Sequence, residues 1–422
     1  MIVETLTKSE SLKFPGERQA VKLLQDRYRF SDTEAIQWAL KNGLTSPGLV
    51  TVAEVSPSLR CPEACPGCPD SSLGLAEAIK KRLAPKIEER ATLGVMQQRI
   101  KFLHDLGVKH FMFIGGTIDG LPELSDLIGF TQALSDDVRV SWFTDMIAEI
   151  DQKTGNQSFL LRKHLEDGWI QKVATHVSMD YNYQGNLVNG ETNLPPKAGR
   201  IKKFEIDTEF SRRFKSQYGA VGAKRLIDAN VRRVVINTTV SPRNIDEVLK
   251  IYKQVEGLQQ YARNIGSQTE VFWTFSPWIW RPHQARGDSP HESPVSLGLS
   301  MENMSAVNEA FKQILEDTYR CEKEGKPRIL ANSSGYTNFM VDPAYRELVV
   351  NQEVPYGGGK PEVYNIDPTG KTTCDPMFNG PELTEVHSIF GYRDRVPEES
   401  KNPFRKFHDS NMGPWFSNIV PT

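Results

Sequence analysis

The sequence predicts an α/β fold built on a parallel sheet. Between residues 48 and 278, six segments rich in β-branched and aromatic residues alternate with amphipathic helical segments, and this alternation is typical of parallel strands joined by helices. The chain has 422 residues, of which 38% are hydrophobic and 25% charged, a composition that excludes collagen-like and wholly disordered chains. Its 51 basic and 53 acidic groups nearly cancel, which argues against a dedicated nucleic-acid binder.

The elements are expected in a regular order along the chain. Residues 1–46 are predicted to form a small helical N-terminal segment that ends near Gly43. The predicted strands cover residues 48–56, 108–117, 138–144, 172–180, 231–240 and 269–278. The predicted helices between them cover residues 73–83, 93–103, 121–134, 158–168, 218–230 and 244–255. Asn244 and Glu247 have the spacing of a capping box for the last of these helices.

The C-terminal part is less regular and is predicted to be an α+β extension. A helix is expected over residues 301–324, with Cys321 on its apolar stripe as a core thiol. The segment EVYNIDPTGKTTCDP predicts a strand pair around a Pro/Gly turn. The predicted domains are therefore residues 1–46, 47–290 and 291–422. No apolar run approaches 18 residues and the first residues lack the pattern of a signal peptide, so we expect a cytoplasmic protein with no membrane partner.

Three of the five cysteines, Cys61, Cys65 and Cys68, fall within eight residues directly after the first predicted strand. A clustered, odd set of thiols indicates metal ligation more than a disulfide framework. Three thiolates suit a [4Fe-4S] cluster with one iron left open for another ligand. A structural zinc ion, which would need a distant fourth ligand, and a chance cluster of cysteines are the alternatives.

Four motifs in order resemble those of the radical S-adenosylmethionine superfamily, over roughly residues 48–282. They are CxxxCxxC after the first strand, Gly115-Gly116-Thr117 after the second, HVSMD with Ser178 and Asp180 on the fourth, and VINTTVSPRNIDEVLKIY with Asn237 and Thr239 on the fifth. The resemblance implies a partial (β/α)6 TIM-like barrel in which Cys61, Cys65 and Cys68 bind the cluster. It also implies that the other motif residues bind S-adenosylmethionine, the glycine motif through its backbone and Ser178 and Asp180 at the ribose.

The chemistry that the resemblance implies is reductive cleavage of S-adenosylmethionine to a 5′-deoxyadenosyl radical, which abstracts hydrogen from a substrate. The sequence departs from the family's pattern at Gly67, where an aromatic residue commonly borders adenine, and at Thr117, where the family has Glu. Adenine is therefore expected to contact side chains of the fifth and sixth strands.

Several residues are candidates for the substrate side of such a site. Glu54, an acid in an apolar strand, is expected to line the barrel and bind a cation, or else to be a solvated surface carboxylate. An aromatic segment is expected at a pocket mouth or, alternatively, in packing between strand and helices; its residues are Trp273, Trp278, Trp280 and Arg281. Cys374 is a candidate hydrogen-atom donor, with an ordinary structural cysteine as the alternative. Nine basic groups in residues 197–225 predict either a surface for an acidic leader peptide or the cofactor's carboxylate, or a solvated face.

The resemblance leaves three functions open. The first is modification of a peptide or natural product, with peptide modification slightly favoured because of the aromatic segment, the basic insertion and the C-terminal hairpin. This hairpin resembles the opening of the auxiliary-cluster domain of peptide-modifying relatives, here with too few cysteines for a second cluster. The others are a small-molecule mutase, dehydratase or dehydrogenase, and a non-catalytic iron–sulfur or zinc scaffold. An enzyme of this kind also implies an electron donor such as a flavodoxin or ferredoxin.

Overall fold

Eight strands form one sheet in the part of the chain that the structure describes, in the order β6-β5-β4-β3-β2-β1-β7-β8. The structure is a computed structural model. It describes residues 52–58, 90–105, 108–115, 118–151, 153–184, 187, 194, 208–277, 304–332, 363–370 and 372–373. The predicted helical segment 1–46 and the first predicted helix, 73–83, lie outside these residues.

All six predicted strands are present and pair in parallel with their neighbours. They are β1 (Val52–Val55), β2 (His110–Phe113), β3 (Arg139–Thr144), β4 (Ala174–Ser178), β5 (Arg233–Val240) and β6 (Glu270–Pro277). The sheet is not closed by hydrogen bonds between its end strands, β6 and β8, within the described residues. The predicted α/β fold with a partial TIM-like barrel is confirmed.

Helices follow the strands as predicted. They are α1 (Leu93–Asp105), α2 (Leu124–Gln132), α3 (Phe159–Glu166), α4 (Thr208–Asp228), α5 (Val248–Asn264) and α6 (Met304–Lys323). The helix α4 begins ten residues before its predicted start at Tyr218. Helix α3 begins where Ser158 Oγ accepts hydrogen bonds from the main-chain N–H groups of Leu160 and Leu161, which is the usual role of a serine N-cap.

The two faces of the sheet differ in what covers them. Trp142 on β3 packs edge-to-face against Trp169 beyond α3, with ring centroids 5.2 Å apart. Trp273 on β6 packs against Tyr252 of α5 and Phe311 of α6. Because side chains alternate along a strand, these tryptophans define a helix-facing side that contains the main core. We call the opposite side the inner face.

The predicted C-terminal strand pair is present and extends the same sheet. Strand β7 (Val363–Ile366) pairs in parallel with β1, and β8 (Thr372–Thr373) pairs antiparallel with β7. The turn between them packs on the start of α1, where the N–H of Ala91 donates to Pro368 O at 2.7 Å. Gly370 has φ +82°, and a Cβ there would lie 2.8 Å from Val95 Cγ1, so this turn requires glycine. The predicted division of the chain into three domains stays a prediction.

Among the described residues, no helix is both long and apolar enough to cross a bilayer.

Candidate functional site

The predicted cofactor residues that the structure describes lie at one edge of the sheet, because the strands are parallel and their carboxyl ends lie together. Ser178 ends β4, and Asn237 pairs with it in register on β5. Asp180 follows β4, and Thr239 lies two residues beyond Asn237. Gly115 follows β2 on the other side of β3. The described part of the predicted set is thus brought to the edge where sites form in such folds.

Gly115 lies directly against the segment that leads into the cysteine loop. A Cβ at this position would lie 2.5 Å from the main-chain oxygen of Ser58, and Gly115 has φ +136°. Both facts restrict the position to glycine, since L-residues rarely adopt this φ and the contact is with backbone. Ser58 stands three residues before Cys61. The second predicted motif therefore packs against the entry to the first.

Several predicted residues lie outside the described part of the chain. They are Cys61, Cys65, Cys68, Gly116, Thr117, Trp278, Trp280, Arg281 and Cys374. The role of Cys374 as a hydrogen-atom donor stays a prediction.

Asp180 holds the ends of β4 and β5 together. Its Oδ1 accepts a hydrogen bond from the N–H of Thr239 at 2.6 Å, and its own N–H donates to Ser216 Oγ at 2.9 Å. The main-chain oxygen of Asp180 accepts from Asn244 Nδ2 at 2.9 Å. One carboxylate oxygen is therefore engaged with the protein, which fixes the side chain at the edge of the sheet.

Asn244 has a different role from the predicted one. Its side chain makes no cap hydrogen bond, and a short 3-10 turn, Ile245–Glu247, precedes α5. Instead Nδ2 donates to the main-chain oxygens of Asp180 and Thr239, while Oδ1 accepts from the N–H of Ser241. The capping-box prediction is wrong because the buried Asn244 amide is used to join the loops after β4 and β5. Its full burial makes these bonds costly to remove.

The inner face carries two buried, uncharged histidines, His110 and His176, that the sequence did not reveal as site residues. His110 Nε2 lies 2.8 Å from Ser141 Oγ, and His176 Nδ1 lies 3.2 Å from Asn237 Oδ1. The pKa of His110 falls to about 4, through burial and then the positive charge of Arg139. Burial likewise lowers the pKa of His176 to about 3. Both imidazoles are uncharged near neutral pH. The sequence signal that could have revealed these histidines was their position inside strands predicted to be buried.

Glu54 lies on the inner face, half-buried. The register pairs Glu54 with Met112, and Met112 with Ser141. Ser141 lies on the face opposite Trp142, because adjacent residues of a strand point to opposite sides. This placement agrees with a carboxylate that lines the barrel; binding of a substrate cation stays a prediction.

Trp273 belongs to the core on the helix-facing side. It is fully buried, and its Nε1 donates to Thr238 Oγ1 at 2.9 Å. Its ring contacts Tyr252, Phe275 and Phe311. The packing alternative therefore describes this tryptophan, and it does not offer its ring to a ligand on the inner face.

Part of the basic segment is engaged within the protein. Lys215 Nζ lies 3.5 Å from a carboxylate oxygen of Asp145, and the guanidinium of Arg213 lies 4.2 Å from the centre of the Tyr181 ring. Lys224, nearly buried, bonds to Asp228 one turn along α4. These three cations are therefore engaged by side chains within the fold.

A second group that the sequence did not reveal lies on the helix-facing side near the ends of β2 and β3. Asp119 accepts hydrogen bonds from Trp142 Nε1 at 3.0 Å and from Thr144 Oγ1 at 3.2 Å. Glu149 is fully buried, and neither of its oxygens has a hydrogen-bond partner among the described residues. Burial, followed by the neighbouring carboxylates of Asp119 and Asp145, raises the pKa of Glu149. Burial and Asp145 likewise raise the pKa of Asp119.

Within the described residues, no group of three acidic, histidine or cysteine side chains has the geometry of a metal site.

No family model and no curated protein matches the sequence. Among solved structures, the chain is similar to crystal structures of Streptococcus suis SuiB. The form bound to S-adenosylmethionine has 11% identity and a TM-score of 0.46, over 87% of this chain and 72% of that one. The form bound to precursor peptide SuiA has 10% identity and a TM-score of 0.49, over 90% and 76%. A third SuiB structure has 11% identity and a TM-score of 0.49, over 93% and 87%. Identities this low leave the function of this chain to be argued from its own residues.

Proposed function

We propose that the chain is a radical S-adenosylmethionine enzyme. In this proposal Cys61, Cys65 and Cys68 hold a [4Fe-4S] cluster, and S-adenosylmethionine binds beside it along the carboxyl edge of the sheet. The observation that carries the proposal is the contact of Gly115 with Ser58 O. It brings the first glycine of the glycine motif against Ser58, which stands three residues before Cys61 in the sequence.

The described residues at the carboxyl edge of the sheet fit the adenosine part of S-adenosylmethionine. Ser178, Asn237 and Thr239 are each half-buried, while Ile236 and Thr238 between and beside them are buried. Polar side chains are thus presented at the edge where adenosine is expected.

When bound, these groups supply a one-electron cleavage of the sulfonium that leads to removal of hydrogen from a substrate C–H bond. The protein positions the cofactor and the substrate and keeps water away from the reacting atoms. Asp180 fixes the backbone of Thr239, and Ser178 and Asn237 offer polar groups beside it. The inner-face histidines stay neutral, and the half-buried rings of Phe143 and Phe272 add apolar surface that excludes water from the barrel.

For the substrate we propose a peptide or natural product, with peptide modification to be tested first. The feature that favours a peptide is the β7–β8 hairpin, which resembles the opening of the auxiliary domain in peptide-modifying relatives. Glu54 is the candidate for binding a substrate cation, because its carboxylate lies on the inner face. A flavodoxin or ferredoxin as electron donor, and a cytoplasmic location, stay predictions.

The proposal is tested by electron paramagnetic resonance of anaerobically reconstituted, dithionite-reduced protein. We expect a cluster signal in the wild type that changes when S-adenosylmethionine is added, because the ligand binds the open iron. The triple variant Cys61→Ala/Cys65→Ala/Cys68→Ala should give no signal, and Cys321→Ala, which leaves the motif intact, should behave as the wild type. A signal insensitive to S-adenosylmethionine would favour the scaffold alternative, and bound zinc without iron would exclude the proposal.

A further inference from the structure

The ring of His176 is held on two sides on the inner face. It stacks on Phe143, with ring centroids 4.2 Å apart and planes at 18°. Its Nδ1 lies 3.2 Å from Asn237 Oδ1 on the neighbouring strand. His176 is 1% exposed, so the ring has little freedom to turn. The stacking and the hydrogen bond together fix the plane in which both ring nitrogens lie.

The hydrogen-bond partners determine which nitrogen carries the proton. The amide oxygen of Asn237 can only accept, so Nδ1 must donate to it. His176 Nε2 is buried and has no partner among the described residues, which suits a lone pair better than an N–H, because orphaned buried donors are the rarer case. The reverse arrangement, with the amide turned over, would leave Nε2–H as a buried donor with no acceptor. The neutral Nδ1–H tautomer is therefore favoured.

Charge sets the number of protons on the ring. Burial lowers the pKa of His176 to about 3; the hydrogen bond to Asn237 opposes this shift, while electrostatic interactions with His110 and Arg233 add to it. The imidazole is thus uncharged at neutral pH and has one N–H to give. Since that N–H binds Oδ1, the NH2 group of Asn237 is turned away from His176, and no acceptor for it is found in the described part of the chain.

We infer that His176 is a positioning residue that orients the Asn237 amide so that its NH2 group donates to an uncharged acceptor on the adenosine part of the bound ligand. Such acceptors are the ribose oxygens and the purine ring nitrogens. Asn237 pairs in register with Ser178, so the oriented amide stands beside a second polar side chain at the carboxyl edge. The inference rests on the proposed function for the identity of the ligand, but the tautomer and the amide orientation do not depend on it.

The tautomer is tested directly by two-bond 1H–15N correlation spectra of 15N-histidine-labelled, anaerobically purified protein with its cluster oxidised. We expect the His176 signals, identified by their loss in His176→Phe, to show a neutral Nδ1–H ring from pH 6 to 8. In Asn237→Ala the preference for Nδ1–H should disappear. An Nε2–H ring or an imidazolium in the wild type would overturn the inference, whether or not S-adenosylmethionine binds.

Ligand binding separates positioning from a general structural effect. Calorimetric titration with S-adenosylmethionine should show about fivefold weaker binding for His176→Phe, which keeps the stacking on Phe143 but loses one hydrogen bond. His176→Gln, whose amide can donate to Oδ1, should restore affinity to within about twofold of the wild type. In the Asn237→Ala background, His176→Phe should cause no further loss. An equal loss in both backgrounds would refute action through Asn237. A wild type that binds no S-adenosylmethionine would instead refute the proposed function.

Discussion

Gly115 lets the chain after β2 lie directly against the main chain of Ser58, three residues before Cys61. Gly115→Ala would force a Cβ to 2.5 Å from Ser58 O at a φ of +136°, a strain of about 1–3 kcal/mol. We expect the segment before Cys61 to shift and the variant to retain much less iron and sulfide after reconstitution. Gly120→Ala, where a Cβ would meet nothing within 4 Å, is the matched control. Equal cluster content in both variants would show that this contact does not support the cysteine loop.

Glu149 is a buried acid whose ionisation the fold opposes. Burial and the carboxylates of Asp119 and Asp145 raise its pKa in the folded protein. The stability that its protonated form contributes is present below the unfolded pKa and is lost as the pH rises toward the folded pKa. Glu149→Gln should therefore become more stable relative to the wild type as the pH is raised from 5 to 8, as measured by urea unfolding. Glu166→Gln, at an exposed position of α3, is the control, and a pH-independent difference for Glu149→Gln would contradict this account.

At the scale of elements, Asn244 joins the loops after β4 and β5. Its side chain makes four hydrogen bonds within a fully buried site. Asn244→Ala leaves main-chain oxygens of Asp180 and Thr239 without these donors, so we expect a loss of about 2–4 kcal/mol in the free energy of unfolding. Urea denaturation measures the loss, and Asn264→Ala, at the exposed end of α5, should change little. A loss below about 1 kcal/mol would mean that the loops after β4 and β5 hold together without the Asn244 side chain.

The elements themselves could be predicted where their pattern is local. Alternating apolar residues and Gly boundaries located the six strands and most helices, because these signals lie within a few residues of each other. The start of α4 could not be predicted, because its first turns fall in a basic segment without a clear apolar face. The alternation in β6 did contain a signal for Trp273: Val271, Trp273 and Phe275 share one face, and Thr274 and Ser276 lie on the other. That phase indicates the buried side for the tryptophan.

The candidate site shows the same division between local and distant information. Motif order placed Ser178, Asp180, Asn237 and Thr239 at the carboxyl edge, because parallel strands bring their ends together. It could not reveal the contact of Gly115 with Ser58, which depends on how β1 and β2 pack. Nor could it reveal the pairing of β7 with β1, since the two strands lie more than 300 residues apart in sequence.

At the scale of the whole molecule, the buried histidines should make the fold sensitive to acid. The folded pKa values of His110 and His176 are about 4 and about 3, against about 6.5 in the unfolded chain. The unfolded state therefore takes up more protons as the pH falls below about 6.5, and each histidine removes about 2 kcal/mol of stability by pH 5. The difference in free energy of unfolding between His176→Phe and the wild type should shift by about this amount in favour of the variant between pH 7.5 and 5. If this difference does not change with pH, His176 has the same pKa in the folded and the unfolded protein.

In the proposed function, Cys61, Cys65 and Cys68 would hold the cluster at which S-adenosylmethionine is reductively cleaved. The most direct measurement is the amount of 5′-deoxyadenosine formed by anaerobically reconstituted protein with dithionite and S-adenosylmethionine. We expect product from the wild type and from Cys321→Ala, and none from the variant that lacks Cys61, Cys65 and Cys68. Absence of product from wild-type protein whose iron and sulfide content proves an intact [4Fe-4S] cluster would contradict the account.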